Sequence, residues 1–178
     1  MNQEPEPISD LLDRLSEIVP DYPSKGISFK DLTPVFADAT GLRRIVDEVI
    51  APFAGQFDVI AGLEARGFVM AAAAAYATGT GMVTIRKAGK LPRAVHRDEY
   101  TLEYGSGTLE LHRDDITPGT RVLVLDDVLA TGGTVGSAAR LLDKAGAKVA
   151  GVGVVLELQG LGGRERLAGL KVHSLQVV

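Results

Sequence analysis

The chain has 178 residues, 46% of them hydrophobic and 24% charged, with a formal net charge of −4. That length suits one domain able to bury roughly 70% of its unfolded surface, and the composition excludes a mostly disordered chain. The absence of cysteine excludes disulfides, zinc–thiolate sites, iron–sulfur clusters and thiol nucleophiles, and the mild acidity argues against a general nucleic-acid binder.

Residues 1–7 carry Glu4 and Glu6 and no apolar run, so no signal peptide is expected there. Ser9 is expected to cap a first helix in which Leu11, Leu12, Leu15, Ile18 and Val19 share one face, with Pro20 as its stop. Residues 21–26 read as a loop, 27–30 alternate, and 31–34 read as a turn. A second helix is expected from about Thr40, with Leu42, Ile45, Val46, Val49 and Ile50 inward, ending near Pro52. The rhythm then becomes strand, turn, helix: a strand over 57–61, a turn over 62–67, and an alanine-rich helix over 68–77 ended by Gly79. That apolar stretch is far short of the roughly 20 residues that span a bilayer, and the expected compartment is the cytoplasm. A strand over 82–86 precedes a long polar segment, 87–115, with hairpin character. A strand over 121–125, a loop, a helix over 134–145 with Gly146 as its left-handed cap, and strands over 149–156 and 172–178 complete the chain. Apolar strands alternating with helices predict an α/β fold, a doubly wound and mainly parallel sheet covered on both faces. Ligands of such sheets sit outside the carboxyl ends of the strands.

The strongest chemical signal is Val122-Leu123-Val124-Leu125-Asp126-Asp127-Val128-Leu129-Ala130-Thr131-Gly132-Gly133-Thr134. A buried strand delivers two adjacent carboxylates, and a loop rich in glycine and hydroxyl groups opens a helix. Backbone N–H groups of Ala130, Thr131, Gly132, Gly133 and Thr134 suit a phosphate, and the helix dipole adds to them. Asp126 and Asp127 would repel that phosphate. They suit vicinal ribose hydroxyls, or a magnesium ion held through water. Neither a P-loop nor a dinucleotide fingerprint is present. Glu64-Ala65-Arg66-Gly67 follows a strand and opens a helix, where Arg66 offers a charged fork to pyrophosphate oxygens. Arg86, Lys87 and Lys90 surround one loop, either as a solvated charge run or as neutralisers of a leaving anion. His96, His112 and His173 show no metal-ligand spacing and read as surface residues, with His96 placed to touch a phosphate.

The segment 122–134 resembles the 5-phosphoribosyl-1-pyrophosphate (PRPP) motif of the type I phosphoribosyltransferases. The resemblance narrows to the adenine-using branch through Tyr22-Pro23 with Gly26-Ile27-Ser28-Phe29-Lys30-Asp31, Gly62 to Phe68, Arg86-Lys87-Ala88-Gly89-Lys90-Leu91-Pro92, and Tyr100-Thr101-Leu102-Glu103-Tyr104-Gly105. It covers residues 11–178 and implies one phosphoribosyltransferase domain, with a hood over about 1–35 and a flexible catalytic loop over about 93–107. The implied reaction joins adenine and PRPP into AMP and pyrophosphate, with Mg²⁺ carried on the pyrophosphate and no direct protein ligand to the metal. The resemblance makes Glu103 the acid/base toward a purine nitrogen, a task that favours a buried carboxyl. Arg66 and Lys87 join it as catalytic groups. Lys87 and Lys90 would contact pyrophosphate, even in a neighbouring subunit's site, which implies a homodimer. Ile27, Ser28, Phe29 and Lys30 resemble the adenine pocket, with Phe29 stacking on the ring and Leu158 packing on the purine from its other side. Lys25 stands where the family often has proline, and Ser28 where an aliphatic residue is usual; both bear on base selectivity. The expected partners are adenine, PRPP and a second copy of the chain, with no nucleic acid and no membrane; another purine as substrate, or a PRPP-sensing regulator without turnover, are the alternatives.

Overall fold

A computed structural model describes residues 6–22, 24–26, 28–102 and 105–178, apart from the side chains of residues 101, 102, 105 and 106. Ile27 and Glu103, both expected at the site, lie outside the described residues. The chain divides into two compact units, Met1–Glu48 and Val49–Val178.

In the first unit, α1 (Ile8–Leu15) follows Pro7 and buries Leu11 and Leu12. It is shorter than the apolar spacing predicts. Ser9 lies inside it rather than capping it, and β1 (Glu17–Pro20) takes Ile18 and Val19. The reason is pairing: β1 runs antiparallel to β2 (Ser28–Asp31), with Ile18 opposite Lys30 and Val19 opposite Phe29. The expected turn at 31–34 instead starts a helix. Asp31 Oδ1 accepts the Thr33 N–H at 3.0 Å and its Oδ2 accepts the Thr33 hydroxyl at 2.6 Å, opening α2 (Thr33–Ala37). Asp38 Oδ1 accepts the Gly41 N–H at 2.7 Å in the first turn of α3 (Ala39–Ile50).

The second unit is built on a seven-stranded sheet. Its strands are β3 (Val59–Leu63), β4 (Gly81–Lys87), β5 (Val95–Leu102), β6 (Gly105–His112), β7 (Arg121–Leu129), β8 (Lys148–Glu157) and β9 (Val172–Val177), in the order β5-β6-β4-β3-β7-β8-β9. β4, β3, β7, β8 and β9 are parallel, and the β5–β6 hairpin joins antiparallel at the β4 edge. Residue alternation splits the strands between two covered faces. Ala61, Leu63, Val122, Val124, Val152 and Val154 bury against Ala138, Leu141 and Leu142 of α5 (Gly133–Lys144). On the other face, α4 (Arg66–Thr78) lies so close that a Cβ on Gly62 would come 2.8 Å from Ala71 Cβ. The alanines of α4 thus serve a tight helix–sheet contact. Gly146, φ +76°, ends α5 in the left-handed conformation expected of it. A short α6 (Gly163–Arg166), absent from the sequence reading, lies between β8 and β9. Among the described residues no helix is long and apolar enough to cross a membrane.

Candidate active site

The parallel strands end together, and the predicted phosphate-handling residues gather there. β3 runs to Leu63, the Glu64–Ala65 peptide is cis, and α4 begins at Arg66. Gly67 is fixed by closeness to the next strand: a Cβ there would lie 2.6 Å from Leu125 O and 3.1 Å from Asp126 Oδ1. The strand predicted to stop at Leu125 in fact continues to Leu129, because β8 pairs alongside it, Asp126 with Val154 and Val128 with Leu156. The twin acids are therefore strand residues, and the loop begins at Ala130.

Asp126 and Asp127 are both buried. Asp126 Oδ1 accepts the Asp127 N–H at 2.9 Å. Burial, with the Asp127 charge beside it, pushes the Asp126 carboxyl well above the usual carboxylate range. Arg66 Nε lies 2.6 Å from Asp127 Oδ2, a charge contact that lacks hydrogen-bond direction. That buried oxygen has no hydrogen-bond donor aimed at it among the described residues. An acceptor of this kind suits a sugar hydroxyl or a metal-bound water.

After Leu129 the chain passes Ala130 and Thr131 to Gly132, whose φ of +74° turns it into α5 at Gly133, one residue ahead of the predicted Thr134. No side chain caps this helix. Its leading N–H groups therefore form an anion cradle.

The cations at the end of β4 and on the turn after it are unequal. Arg86 reaches Glu64 with Nε at 3.3 Å and a terminal nitrogen at 3.4 Å, and its guanidinium sits 5.7 Å from the Phe68 ring centroid. Glu64 Oε2 also accepts the Lys87 N–H at 2.9 Å. Burial alone would raise the Glu64 pKa, but Arg86 and that N–H hold it below its ordinary value. Lys87, the last residue of β4, and Lys90, on the turn beyond, are exposed. The turn is fastened from beneath by Glu110, only 1% exposed, whose Oε2 accepts the Gly89 N–H at 2.9 Å and whose Oε1 accepts from Arg97 Nε at 2.6 Å. The hairpin is tied to α5 by Asp98, which accepts from the Ser137 hydroxyl, Arg140 Nε and Lys144 Nζ, each at 2.9 Å. Burial opposes ionisation of Asp98, yet these donors bring its pKa down to about 2.

Leu158 follows β8 and its N–H donates to Leu129 O at 2.9 Å, next to the start of the cradle. In the first unit, Phe29 meets the Tyr22 ring edge-on at a centroid distance of 5.2 Å, Lys30 pairs with Asp13, and Ser28 is exposed. The histidine reading needs one correction. His112 is buried, its Nδ1 2.9 Å from Asp115 Oδ2 and 2.9 Å from an Arg93 terminal nitrogen. It is the last residue of β6, at the foot of the hairpin. His96 lines a basic cavity of about 700 Å³ with Arg93, Arg97, Arg113 and Lys144. Residues 130–134 do not line it. Among the described residues no group of three or more His, Asp or Glu could hold a metal ion.

Three acids with structural work at the site drew no attention from sequence. Glu64 lay inside a quoted motif, with only its neighbour Arg66 assigned a task. Asp98 and Glu110 lie in a segment that reads from sequence as polar with hairpin character.

Residues 31–173 match the family described as the phosphoribosyl transferase domain. The adenine phosphoribosyltransferase of Renibacterium salmoninarum is 63% identical over 97% of this chain and 95% of its own length. That of Thermobifida fusca is 48% identical over 96% and 98%. The crystal structure of adenine phosphoribosyltransferase from Thermoanaerobacter pseudethanolicus superposes with a TM-score of 0.91 at 41% identity, covering 95% of this chain and 99% of that one. The Saccharomyces cerevisiae enzyme, solved with an imino-altritol bisphosphate and adenine, gives 0.89 at 33% identity, covering 95% and 98%.

Proposed function

The chain belongs to the phosphoribosyl transferase family and has the function of an adenine phosphoribosyltransferase, and from that premise we propose how its residues divide the work. The observation that carries the assignment is the join of a strand-borne Asp126–Asp127 pair to the uncapped N-terminus of α5. The cradle of Ala130, Thr131, Gly132, Gly133 and Thr134 takes the 5′-phosphate of PRPP. Asp126 and Asp127, the latter ion-paired to Arg66, take the ribose hydroxyls. The same pair fits Mg²⁺, which they would hold through its water shell. When bound, the ion supplies neutralising charge to the pyrophosphate.

The bond from C1′ to the pyrophosphate oxygen breaks with its electron pair leaving on pyrophosphate, so that C1′ gains positive character. The N9 lone pair of adenine forms the new bond, and a ring proton passes to Glu103. Arg66, Lys87 and Lys90 offset the charge of the departing group. The segment Ile27, Ser28, Phe29 and Lys30 reads the base, as its resemblance implies, and Leu158 packs on the purine. The segment of about 93–107 closes as a lid that keeps water from the reactive sugar. A homodimer is supported by the apolar surface of α4, where Val69 is 43% and Tyr76 is 92% exposed. A cysteine-free chain acting on charged small molecules fits the cytoplasm.

The test is a radiolabel assay of adenine, hypoxanthine, guanine and xanthine with PRPP and Mg²⁺. AMP formation from adenine, with the other bases poor substrates, is the expected result. Replacing both Asp126 and Asp127 with asparagine abolishes productive PRPP binding by calorimetry. Undiminished binding by that variant would remove the pair from the sugar site.

A further inference from the structure

The cradle rests on a second backbone. Gly163, the first residue of α6, is buried against it: a Cβ at Gly163 would fall far inside van der Waals contact with Ala130 O and lie 3.1 Å from Leu129 Cγ. The crowding is reciprocal. A Cβ at Gly132 would stand 2.7 Å from Gly163 O and 3.3 Å from Gly163 Cα. Two glycines thus face each other with no side chain between, and the peptide that carries the Ala130 carbonyl lies directly on α6. Because neither neighbour is a flexible side chain, the contact cannot yield without moving the loop itself.

α6 is in turn pinned to the sheet. Arg164 Nε donates to Glu157 Oε1 at 2.8 Å, one terminal nitrogen donates to Val172 O at 3.0 Å, and the other donates to Ser174 Oγ at 3.1 Å and to Glu157 Oε2. The Ser174 hydroxyl closes the ring by donating to Glu157 Oε2 at 2.8 Å. Glu157 is the last residue of β8 and Leu158 the next, so the same clamp borders the residue assigned to the purine. On the far side of α6, Leu167 is 3% exposed in the core beneath α5.

We infer that Gly163 is a positioning residue for the phosphate cradle, and that Arg164, forked onto Glu157, keeps it seated. This rests on the assignment of residues 130–134 to the 5′-phosphate. Neither residue touches the reacting atoms. They act by fixing where the N–H groups of Gly132 and Gly133 point.

The experiment uses the full chain with Gly163→Ala, Arg164→Ala and, as a comparison from the same segment, Gly160→Ala. A Cβ at Gly160 meets nothing within 4 Å, although its φ is +81°. PRPP affinity is read by calorimetry, KM by initial rates with each substrate, and the Gly132 and Gly133 amides by NMR with and without PRPP. Gly163→Ala is expected to weaken PRPP binding tenfold or more, raise the KM for PRPP in parallel, shift both amides before ligand is added, and change the KM for adenine less than twofold. Arg164→Ala moves the same quantities in the same direction by a few-fold. Gly160→Ala lowers thermal stability and leaves PRPP affinity within twofold. Folded Gly163→Ala and Arg164→Ala proteins that bind PRPP as the parent does would overturn the proposal. If Gly163→Ala does not fold, Arg164→Ala alone decides it. Parent amides that ignore PRPP while it binds normally would overturn the cradle assignment and, with it, the inference built on it.

Discussion

Replacing Asp98 with asparagine tests how the hairpin is held to the helix that carries the cradle. Asp98 is 8% exposed, while Arg140 and Lys144 are about half exposed at their side chains. Removing the carboxylate therefore strands no buried cation, and the loss is the pairing itself. The folded pKa is about 2 against an ordinary 3.8. At about 1.4 kcal/mol for each unit of difference, ionised Asp98 contributes about 2 kcal/mol to folding. Because the folded value is the lower one, the contribution is complete above pH 3.8 and disappears as the pH falls through 2. Urea unfolding of parent and Asp98→Asn proteins from pH 7 to pH 2 should show a gap of about 2 kcal/mol that narrows below pH 4. At neutral pH the melting temperature should fall by roughly 4–8 °C in a chain of this length. A gap that is absent at pH 7, or that stays constant across the acid range, would refute the reasoning.

Glu103→Gln should lower kcat by roughly two orders of magnitude while PRPP affinity by calorimetry stays within a few-fold, since the amide cannot exchange the purine proton. Glu110→Ala leaves the Gly89 N–H without its acceptor and should cost about 1–3 kcal/mol in urea unfolding. In the reverse reaction it should raise the KM for pyrophosphate more than the KM for AMP, because the lysine-bearing turn loses its fastening. Gly67→Ala drives a methyl into the Leu125 carbonyl and should destabilise by about 1–3 kcal/mol, again by urea unfolding, and weaken PRPP binding by displacing Asp126.

The sheet was legible because parallel strands buried on both faces are apolar runs, and β3, β7 and β8 announce themselves that way. The twin acids and the glycine loop were legible because adjacent carboxylates after four aliphatic residues have few other uses. The first helix was overextended because Leu15, Ile18 and Val19 keep helical spacing whether or not the chain turns. Pairing with residues 28–31 lies too far along the sequence for local spacing to register. Asp31 was hidden for a related reason: a short helix of five residues offers no period. Glu110 was invisible since alternation in β6 assigns it to the side away from Leu109 and Leu111. Only the returning Gly89 turn makes that side an interior too. The Gly132–Gly163 contact joins residues thirty-one apart through backbone alone, and no side-chain pattern records it.

Seating the sugar on β7, as proposed, has a thermodynamic consequence. Asp126 is laddered to Val154 of β8, and Leu125 just before it to Gly62 of β3, so under the proposed assignment little ordering of the acids remains when PRPP arrives, and the entropy of binding falls on the proposed lid and base-reading segment. Drift in those outer parts can then retune which purine is accepted while the pentose grip stays as it is.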